Sequence, residues 1–441
     1  MHRLVFVLMV VMALGGCTSS DGPVAMPDAP VTLEDARAVS DAGGRMANLE
    51  LLGQIDLGGE EADAWGAYVA VDRGSTVSIL QMAFEADGGV SLSEVSSITA
   101  AGPKDVKWSD DGAYLFLGND EQASGPPLDQ FGRAGGIDVY DLRGKAAPAF
   151  VSHLPVGQLR GPHMVFYHQQ PDGTELVFGA NADVSINRFD RTTGTLTELA
   201  RYAPDAVTDV NRDPQVVDAY YQLYTHDMFV MEDPVAGKTL MYTASWDAGV
   251  HIVDVTDPAA PVELGAWNDF GDDETGNLHT VATEWIDDRR ITVGAVEVGF
   301  EVVGGVPYAT GTERSLVYVW DTTDLGVPVL LGTWENPDGI GPGMSGIVLG
   351  ATGAEVMSTH NLQLEQGRIY MAHYGLGLWV LDVGSHANQT APRILAFDKD
   401  AGNLWDAIVH NGVVITSGST GARAYHYLPD TLGATGIDSR A

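Results

Sequence analysis

Cysteine is nearly absent from this chain of 441 residues, and Cys17 is the single example. A chain with one thiol forms no internal disulfide. Cys17 also lies directly behind an apolar N-terminal run, so the body of the chain has no thiol nucleophile. The composition therefore excludes a disulfide scaffold and thiol catalysis in the body.

Basic residues, and lysine in particular, are scarce. There are 23 lysines and arginines against 60 acidic residues, which gives a formal net charge of −37. The few lysines are Lys104, Lys107, Lys145, Lys238 and Lys399. Such an acidic surface repels phosphate backbones and anionic headgroups, so we exclude nucleic-acid binding and peripheral membrane binding.

Helical periodicity and the common catalytic signatures are missing too. No amphipathic segment of three turns stands out, and the chain has no phosphate-binding glycine loop, no Gly-x-Ser-x-Gly and no His-Glu-x-x-His. Function must therefore be read from the arrangement of residues in the fold.

The N-terminus reads as an export signal followed by an anchor. A basic start at His2 and Arg3 precedes an apolar run to Leu14, which is too short to span a membrane. The run Leu-Gly-Gly-Cys that ends at Cys17 resembles the lipobox of bacterial-type lipoproteins. We expect residues 1–16 to be a signal peptide and Cys17 to carry a lipid. The polar stretch 17–48 should be a flexible linker, and the protein should be extracytoplasmic and held to the membrane by its lipid alone.

From residue 49 to residue 441 the chain alternates short strands with turns rich in Gly, Asp, Asn and Pro, and it repeats. Seven strand-like pentads, 45 to 67 residues apart, are VSILQ, IDVYD, INRFD, VHIVD, VYVWD, LWVLD and RAYHY, ending at Gln81, Asp141, Asp190, Asp254, Asp321, Asp382 and Tyr427. That spacing holds four short strands with their turns. The sequence predicts an all-β protein, a seven-bladed β-propeller.

A family resemblance rests on the segments that follow the pentads. VHIVDVTDPAAPVELG and the matching segments after Asp321 and Asp382 resemble the LVIVD-repeat family. This resemblance implies an extracytoplasmic propeller and no single chemistry.

The ring should close with a strand from the N-terminus. Gly66, Gly367 and Gly412 align at the turn between the inner and second strands, whereas the last blade has no outer strand after Tyr427. The orphan strand LELLGQIDL, which begins at Leu49, reads like other outer strands. We expect it to complete the last blade and remove the exposed edge.

The residues that open the seven inner strands should converge on one mouth of the axial channel. In blade order they are Gly59-Glu60, Lys104-Asp105, His163-Met164, His226-Asp227, His279-Thr280, His360-Asn361 and Trp405-Asp406. Four successive blades thus offer a histidine at one position. Neutral imidazoles around an axis are ligands for one transition metal ion, such as zinc, copper, iron or manganese.

The ends of the second strands open on the same face and supply a polar rim. Aligned there are Asp72, Asn181, Ser245 with Trp246 and Asp247, and His373 with Tyr374. We expect Glu297 and Asn119 with Asp120 to belong to the same rim. Carboxylates near imidazoles are what an outer ligand shell requires.

Three interpretations of these residues stay open. The histidines bind a metal, they bind a metal-free ligand, or they only hydrogen-bond neighbouring blades. Their short inner strands are similar to those of selenium-binding proteins, which include methanethiol oxidases, and the geometry resembles the four-histidine iron site of carotenoid oxygenases. This likeness implies a metal-dependent oxidoreductase, although the missing cysteine argues against selenium or thiol-adduct chemistry. Our first interpretation is a monomeric propeller that binds a small molecule or a protein at the channel mouth.

Overall fold

The structure is a computed structural model, which describes residues 33–86, 88–100, 102–120, 135–156, 161–204, 225–270, 276–297, 300–303, 306–309, 316–339, 347–350, 353–356 and 358–428. Residues 1–32, which contain the predicted signal peptide and Cys17, lie outside these ranges. In the described part of the chain, no helix has the length and apolar character needed to cross a membrane.

Seven antiparallel sheets form the blades, six with four strands and one with five, and the first strand of each blade is innermost. Blade 1 contains β3 (Ala62–Trp65), β4 (Tyr68–Asp72), β5 (Thr76–Phe84) and β6 (Val90–Thr99), and blade 2 contains β7 (Pro103–Trp108), β8 (Tyr114–Asn119), β9 (Gly136–Asp141) and β10 (Ala149–Pro155). Blade 3 contains β11 (Met164–Gln169), β12 (Glu175–Asn181), β13 (Asp183–Asp190) and β14 (Thr195–Tyr202), and blade 4 contains β15 (Asp227–Asp233), β16 (Lys238–Ser245), β17 (Gly249–Asp254) and β18 (Val262–Trp267). Blade 5 contains β19 (Leu278–Ile286), β20 (Arg289–Val296), β23 (Leu316–Asp321) and β24 (Val329–Glu335). Blade 6 contains β27 (Thr359–Glu365), β28 (Arg368–His373), β29 (Gly377–Asp382) and β30 (Arg393–Asp398). Blade 7 contains β31 (Leu404–His410), β32 (Val413–Gly418), β33 (Ala422–Tyr427) and β2 (Leu49–Ile55). The predicted seven-bladed propeller is confirmed.

Every predicted pentad lies in the third strand of its blade, and the structure explains why so many end in aspartate. In five blades this carboxylate accepts the backbone N–H two residues further on, at 2.8 to 3.0 Å, and forms an Asx turn. The aspartates are Asp141, Asp190, Asp254, Asp321 and Asp382. The repeated residue is therefore a turn signal toward the outer strand.

The ring closes as predicted. Strand β2 pairs antiparallel with β33, from Leu49 opposite Tyr427 to Ile55 opposite Ala422. The last blade thus combines the two ends of the propeller, which leaves no unpaired edge on β33.

The segment before β2 differs from the expected linker. Helix α1 (Ala36–Asp41) packs on blade 6, and β1 (Met46–Ala47) pairs with β30 as a fifth strand of that blade. The Asn48 side chain donates to the Leu395 carbonyl at 2.7 Å. The described residues 33–48 therefore belong to the folded body, because they cover an outer strand and bury Ala36 and Ala47.

Two hairpins were not predicted. Strands β21 (Phe300–Val303) and β22 (Val306–Ala309) form one hairpin between the second and third strands of blade 5. Strands β25 (Ile347–Gly350) and β26 (Gly353–Val356) form the other, between blades 5 and 6. The described ranges also contain helix α2 (His386–Thr390) and a 3₁₀ turn (Tyr374–Leu376).

The apolar core lies between neighbouring blades. Trp334 and Trp379 have ring centroids 5.9 Å apart, and Trp379 stacks on Phe397 at 5.0 Å. Blade-to-blade contact of this kind holds the ring together and fixes the inner strands around the axis.

All five lysines lie in the described ranges, and each has a structural partner. Four pair with carboxylates: Lys104 with Glu60, Lys107 with Asp105, Lys238 with Asp254 and Lys399 with Asp338. The fifth, Lys145, places its ammonium 4.6 Å from the ring centroid of Trp65 and 5.1 Å from that of Trp108. The few lysines thus form contacts that stabilise the fold.

Candidate metal and ligand site at the channel mouth

The four predicted histidines lie side by side in an arc at one end of the channel. Successive ring centroids are 4.7 Å apart for His163 and His226, 3.7 Å for His226 and His279, and 4.4 Å for His279 and His360. Three of these residues are almost fully buried, with exposures of 4%, 1% and 5% for His226, His279 and His360. The arc is therefore an interior feature of the mouth.

The ring nitrogens are oriented by hydrogen bonds to neighbouring blades. His226 Nδ1 lies 3.0 Å from the His279 carbonyl, and His360 Nδ1 lies 2.6 Å from the Trp405 carbonyl. Because a carbonyl only accepts, each Nδ1 must carry the proton. In a neutral ring the lone pair is then on Nε2, the tautomer in which a metal-ligating histidine donates from its other nitrogen.

The buried rings are held in the neutral form. Burial, reinforced by the charge that neighbouring histidines would carry, lowers the pKa of His226 and of His279 well below its ordinary value. Burial lowers the pKa of His360 to about 3. At neutral pH each of these neutral rings therefore has one nitrogen that carries no proton.

Glu297 joins two of the histidines in a compact donor cluster. One ligand atom each from His279, Glu297 and His360 lies within 4.8 Å of the others, and His279 Nε2 is 3.5 Å from Glu297 Oε2. Two imidazoles and one carboxylate form a donor set used by zinc and by non-haem iron. We refer to these three residues as the donor cluster.

His163 closes the other end of the arc and is the most exposed of the four. Its Nδ1 lies 3.1 Å from Asp120 Oδ2, and the Asn181 side chain donates to Asp120 Oδ1 at 2.8 Å. The predicted rim residue Asn181 therefore orients an imidazole through a carboxylate.

The aspartates next to the histidine positions form hydrogen bonds within and between blades. Asp105 accepts from the Val106 N–H and, in the next blade, from the Val165 N–H, both at 2.8 Å. Asp227 and Asp406 repeat this pattern, accepting at 2.8 Å from Thr280 Oγ1 and at 3.1 Å from the Ala62 N–H. These carboxylates join blades, because polar groups of the adjacent inner strands lie within reach, and their contacts agree with the alternative in which polar residues at this position hydrogen-bond neighbouring blades.

The remaining predicted residues surround the mouth. Lys104 pairs with Glu60 at 3.0 Å, and the Trp405 ring centroid is 6.4 Å from that of His360. Asn361 donates to Glu61. The Trp246 ring centroid is 6.2 Å from that of His226.

Three more of them are buried. Burial raises the pKa of Asp72 to about 8, and this carboxylate accepts the Gly74 N–H at 2.8 Å. Asp247 accepts the Asn277 N–H at 3.1 Å. His373 is fully buried, and burial lowers its pKa to about 3.

Tyr374 contacts the donor cluster, and the sequence pattern placed it on the rim without assigning it a role of its own. Its phenol oxygen lies 2.7 Å from Glu297 Oε1, and its ring centroid lies 4.7 Å from that of His360. Its place directly after the second strand of blade 6, at the aligned rim, was the one signal that could have identified it.

No family model and no curated protein matches the chain. Among solved structures, it is similar to the periplasmic gluconolactonase PpgL of Pseudomonas aeruginosa, with 12% identity over 85% of this chain and 90% of that chain and a TM-score of 0.54. It is also similar to the β-propeller domain of Cps50 (Swd1) from Myceliophteria thermophila, with 10% identity over 86% of this chain and 99% of that chain and a TM-score of 0.51. It is similar as well to Sqt1 of Saccharomyces cerevisiae, with 10% identity over 85% of this chain and 98% of that chain and a TM-score of 0.50. At such identities the likeness establishes the fold alone, a β-propeller.

Proposed function

We propose that the protein is a lipid-anchored, extracytoplasmic propeller that binds one transition metal ion in its channel mouth and presents that ion to a small ligand. The observation that carries the proposal is the donor cluster, in which His279, Glu297 and His360 offer three ligand atoms within 4.8 Å of one another. The adjacent His226 provides a fourth imidazole, with its ring centroid 3.7 Å from that of His279.

Two features favour metal binding over an ordinary polar channel. Structural hydrogen bonding between blades uses Nδ1 of His360, which leaves Nε2 of this ring with its lone pair as a ligand atom. The equivalent position carries Lys104 and Trp405 in two other blades, so the fold itself does not require imidazole. A bound ion would supply Lewis acidity and an exchangeable coordination position.

A metal-dependent oxidoreductase is the second candidate. The observation that favours it is the donor set, because two histidines and one carboxylate with open positions are typical of non-haem iron oxygenases. Oxygen consumption by the iron-loaded protein separates the two candidates, since a pure binding protein turns over no oxidant.

Loss of one ligand should nearly abolish metal binding. We expect purified, chelator-stripped protein to take up one equivalent of Zn²⁺ in a calorimetric titration. His279→Ala, His360→Ala and Glu297→Gln should each weaken binding by at least about 100-fold, more than the typical cost of losing an outer-shell partner. Binding should also weaken as the pH falls, because protons compete for the same lone pairs.

His410→Ala is the matched control for this titration. His410 lies at the far end of β31 and hydrogen-bonds the Gly66 carbonyl at 2.7 Å, so its loss should leave zinc affinity unchanged. Equal affinities in the wild type and all three ligand variants would refute the donor cluster.

The lipid anchor predicts how the protein partitions. Cys17 precedes all described residues, and the proposal rests on its lipobox-like context. Wild-type protein should sediment with membranes, whereas Cys17→Ser should be released or keep its signal peptide; Ser19→Ala is the control from the same segment. A Cys17→Ser variant that has lost its signal peptide and still sediments with membranes would contradict lipid anchoring.

A further inference from the structure

Tyr374 is clamped against the mouth by three contacts. It begins the 3₁₀ turn after β28, and its backbone N–H donates to the Ser358 carbonyl at 2.9 Å. Its ring lies edge-on to Trp405, with centroids 5.3 Å apart, and 4.7 Å from His360. With 8% of the residue exposed, the side chain has little freedom to move.

The hydroxyl of Tyr374 is committed to one oxygen of Glu297. The distance from the phenol oxygen to Oε1 is 2.7 Å, and because an ionised carboxylate only accepts, the phenol donates. The other oxygen, Oε2, faces His279 Nε2 at 3.5 Å. The two oxygens of Glu297 therefore have separate partners on opposite sides.

We propose that Tyr374 is a positioning residue that makes Glu297 bind the metal ion through Oε2 alone. This proposal rests on the metal site proposed above. With Oε1 engaged by the phenol, the carboxylate supplies one ligand atom, and the position that a second oxygen would fill stays open to a small anionic or neutral donor entering from the mouth. Hydrogen-bonded outer-shell partners of this kind orient ligands and tune the ion.

Tyr374 also connects the proposed metal site to Trp405 at the mouth. Tyr374 packs between His360, a donor, and Trp405, which is half-buried at the equivalent position of blade 7. A change in the phenol would therefore alter the orientation of Glu297 without removing a ligand.

Cobalt serves as the probe, because Co²⁺ takes the place of zinc or iron and reports its coordination in the visible spectrum. We expect Tyr374→Phe to bind one equivalent of Co²⁺, but about 10- to 100-fold more weakly than the wild type. Its spectrum should shift as the freed Oε1 joins Oε2 on the ion. Added azide should change the spectrum of the cobalt-loaded wild type and have a smaller effect on the variant, in which the open position is filled.

Tyr425→Phe is the matched control. Tyr425 also donates to a buried carboxylate, Asp398, at 2.9 Å, but it lies in the third strand of blade 7 rather than at the mouth. Its cobalt affinity, spectrum and azide response should equal those of the wild type.

The outcomes separate this inference from the metal site itself. A wild type that binds no Co²⁺ refutes the site and this inference with it. A wild type that binds Co²⁺, together with a Tyr374→Phe variant of the same affinity, spectrum and azide response, refutes only the role of Tyr374. Weaker binding with a shifted spectrum in Tyr374→Phe alone supports it.

Discussion

Lys107→Met should lower the free energy of unfolding by about 3–5 kcal/mol, the usual cost of leaving a buried charge without its partner. The Lys107 ammonium lies 2.7 Å from Asp105 Oδ1, whose side chain is fully buried. Burial lowers the pKa of Lys107, but the charges of Asp105, Asp63 and Asp406 outweigh burial and raise it above its ordinary value. One lysine thus compensates several carboxylates inside the channel.

The size of this loss should depend on pH. Burial raises the pKa of Asp63 and of Asp406 to about 6, so these groups take up protons in the folded state as the pH falls through 6. Protonation removes the repulsion that Lys107→Met leaves behind. Urea denaturation should therefore show a smaller difference from the wild type at pH 5 than at pH 8.

Lys238→Met is the control for a surface ion pair. Lys238 contacts Asp254, and its side chain is 39% exposed, so its loss should cost less than about 1 kcal/mol. A Lys107→Met variant no less stable than Lys238→Met would show that the channel carboxylates need no cation.

Deleting residues 49–57 should open the ring and cause aggregation or a much lower melting temperature. The deletion removes β2, whose ladder with β33 contains six paired positions. At about 1 kcal/mol net for each backbone hydrogen bond, the lost ladder alone costs several kcal/mol. It also exposes β33 as an unpaired edge.

Gln54→Ala tests whether this effect comes from pairing rather than from the side chains of β2. Gln54 is exposed, so its truncation should change stability by less than about 0.5 kcal/mol. A deletion variant that melts with the wild type would mean that the blade is complete without β2.

Repetition made the fold predictable from the sequence. One pattern of strand and turn recurs seven times, and each aspartate of the Asx turns adds an independent copy of the same signal. The closing strand was identified because a cyclic repeat with a missing last member requires one elsewhere. Helix α1, strand β1 and the two hairpins belong to no repeat, so the repeat pattern did not predict them.

The candidate site was predictable only in part, for the same reason. The alignment of inner strands brought the four histidines to one mouth, but it could not separate two adjacent polar positions with different tasks. Asp105, Asp227 and Asp406 bind neighbouring strands, whereas the residue before each faces the mouth. Glu297 and Tyr374 meet across blades 5 and 6, and a contact between blades depends on three-dimensional packing that single-blade alignment does not contain.

Anomalous diffraction from a crystal of the zinc-loaded protein would test the metal site most directly. The account predicts one strong peak at the zinc edge in the channel mouth, about 2.0–2.2 Å from a nitrogen of His279, a nitrogen of His360 and Oε2 of Glu297. A map without a peak at the mouth, or with zinc bound only elsewhere, would contradict it.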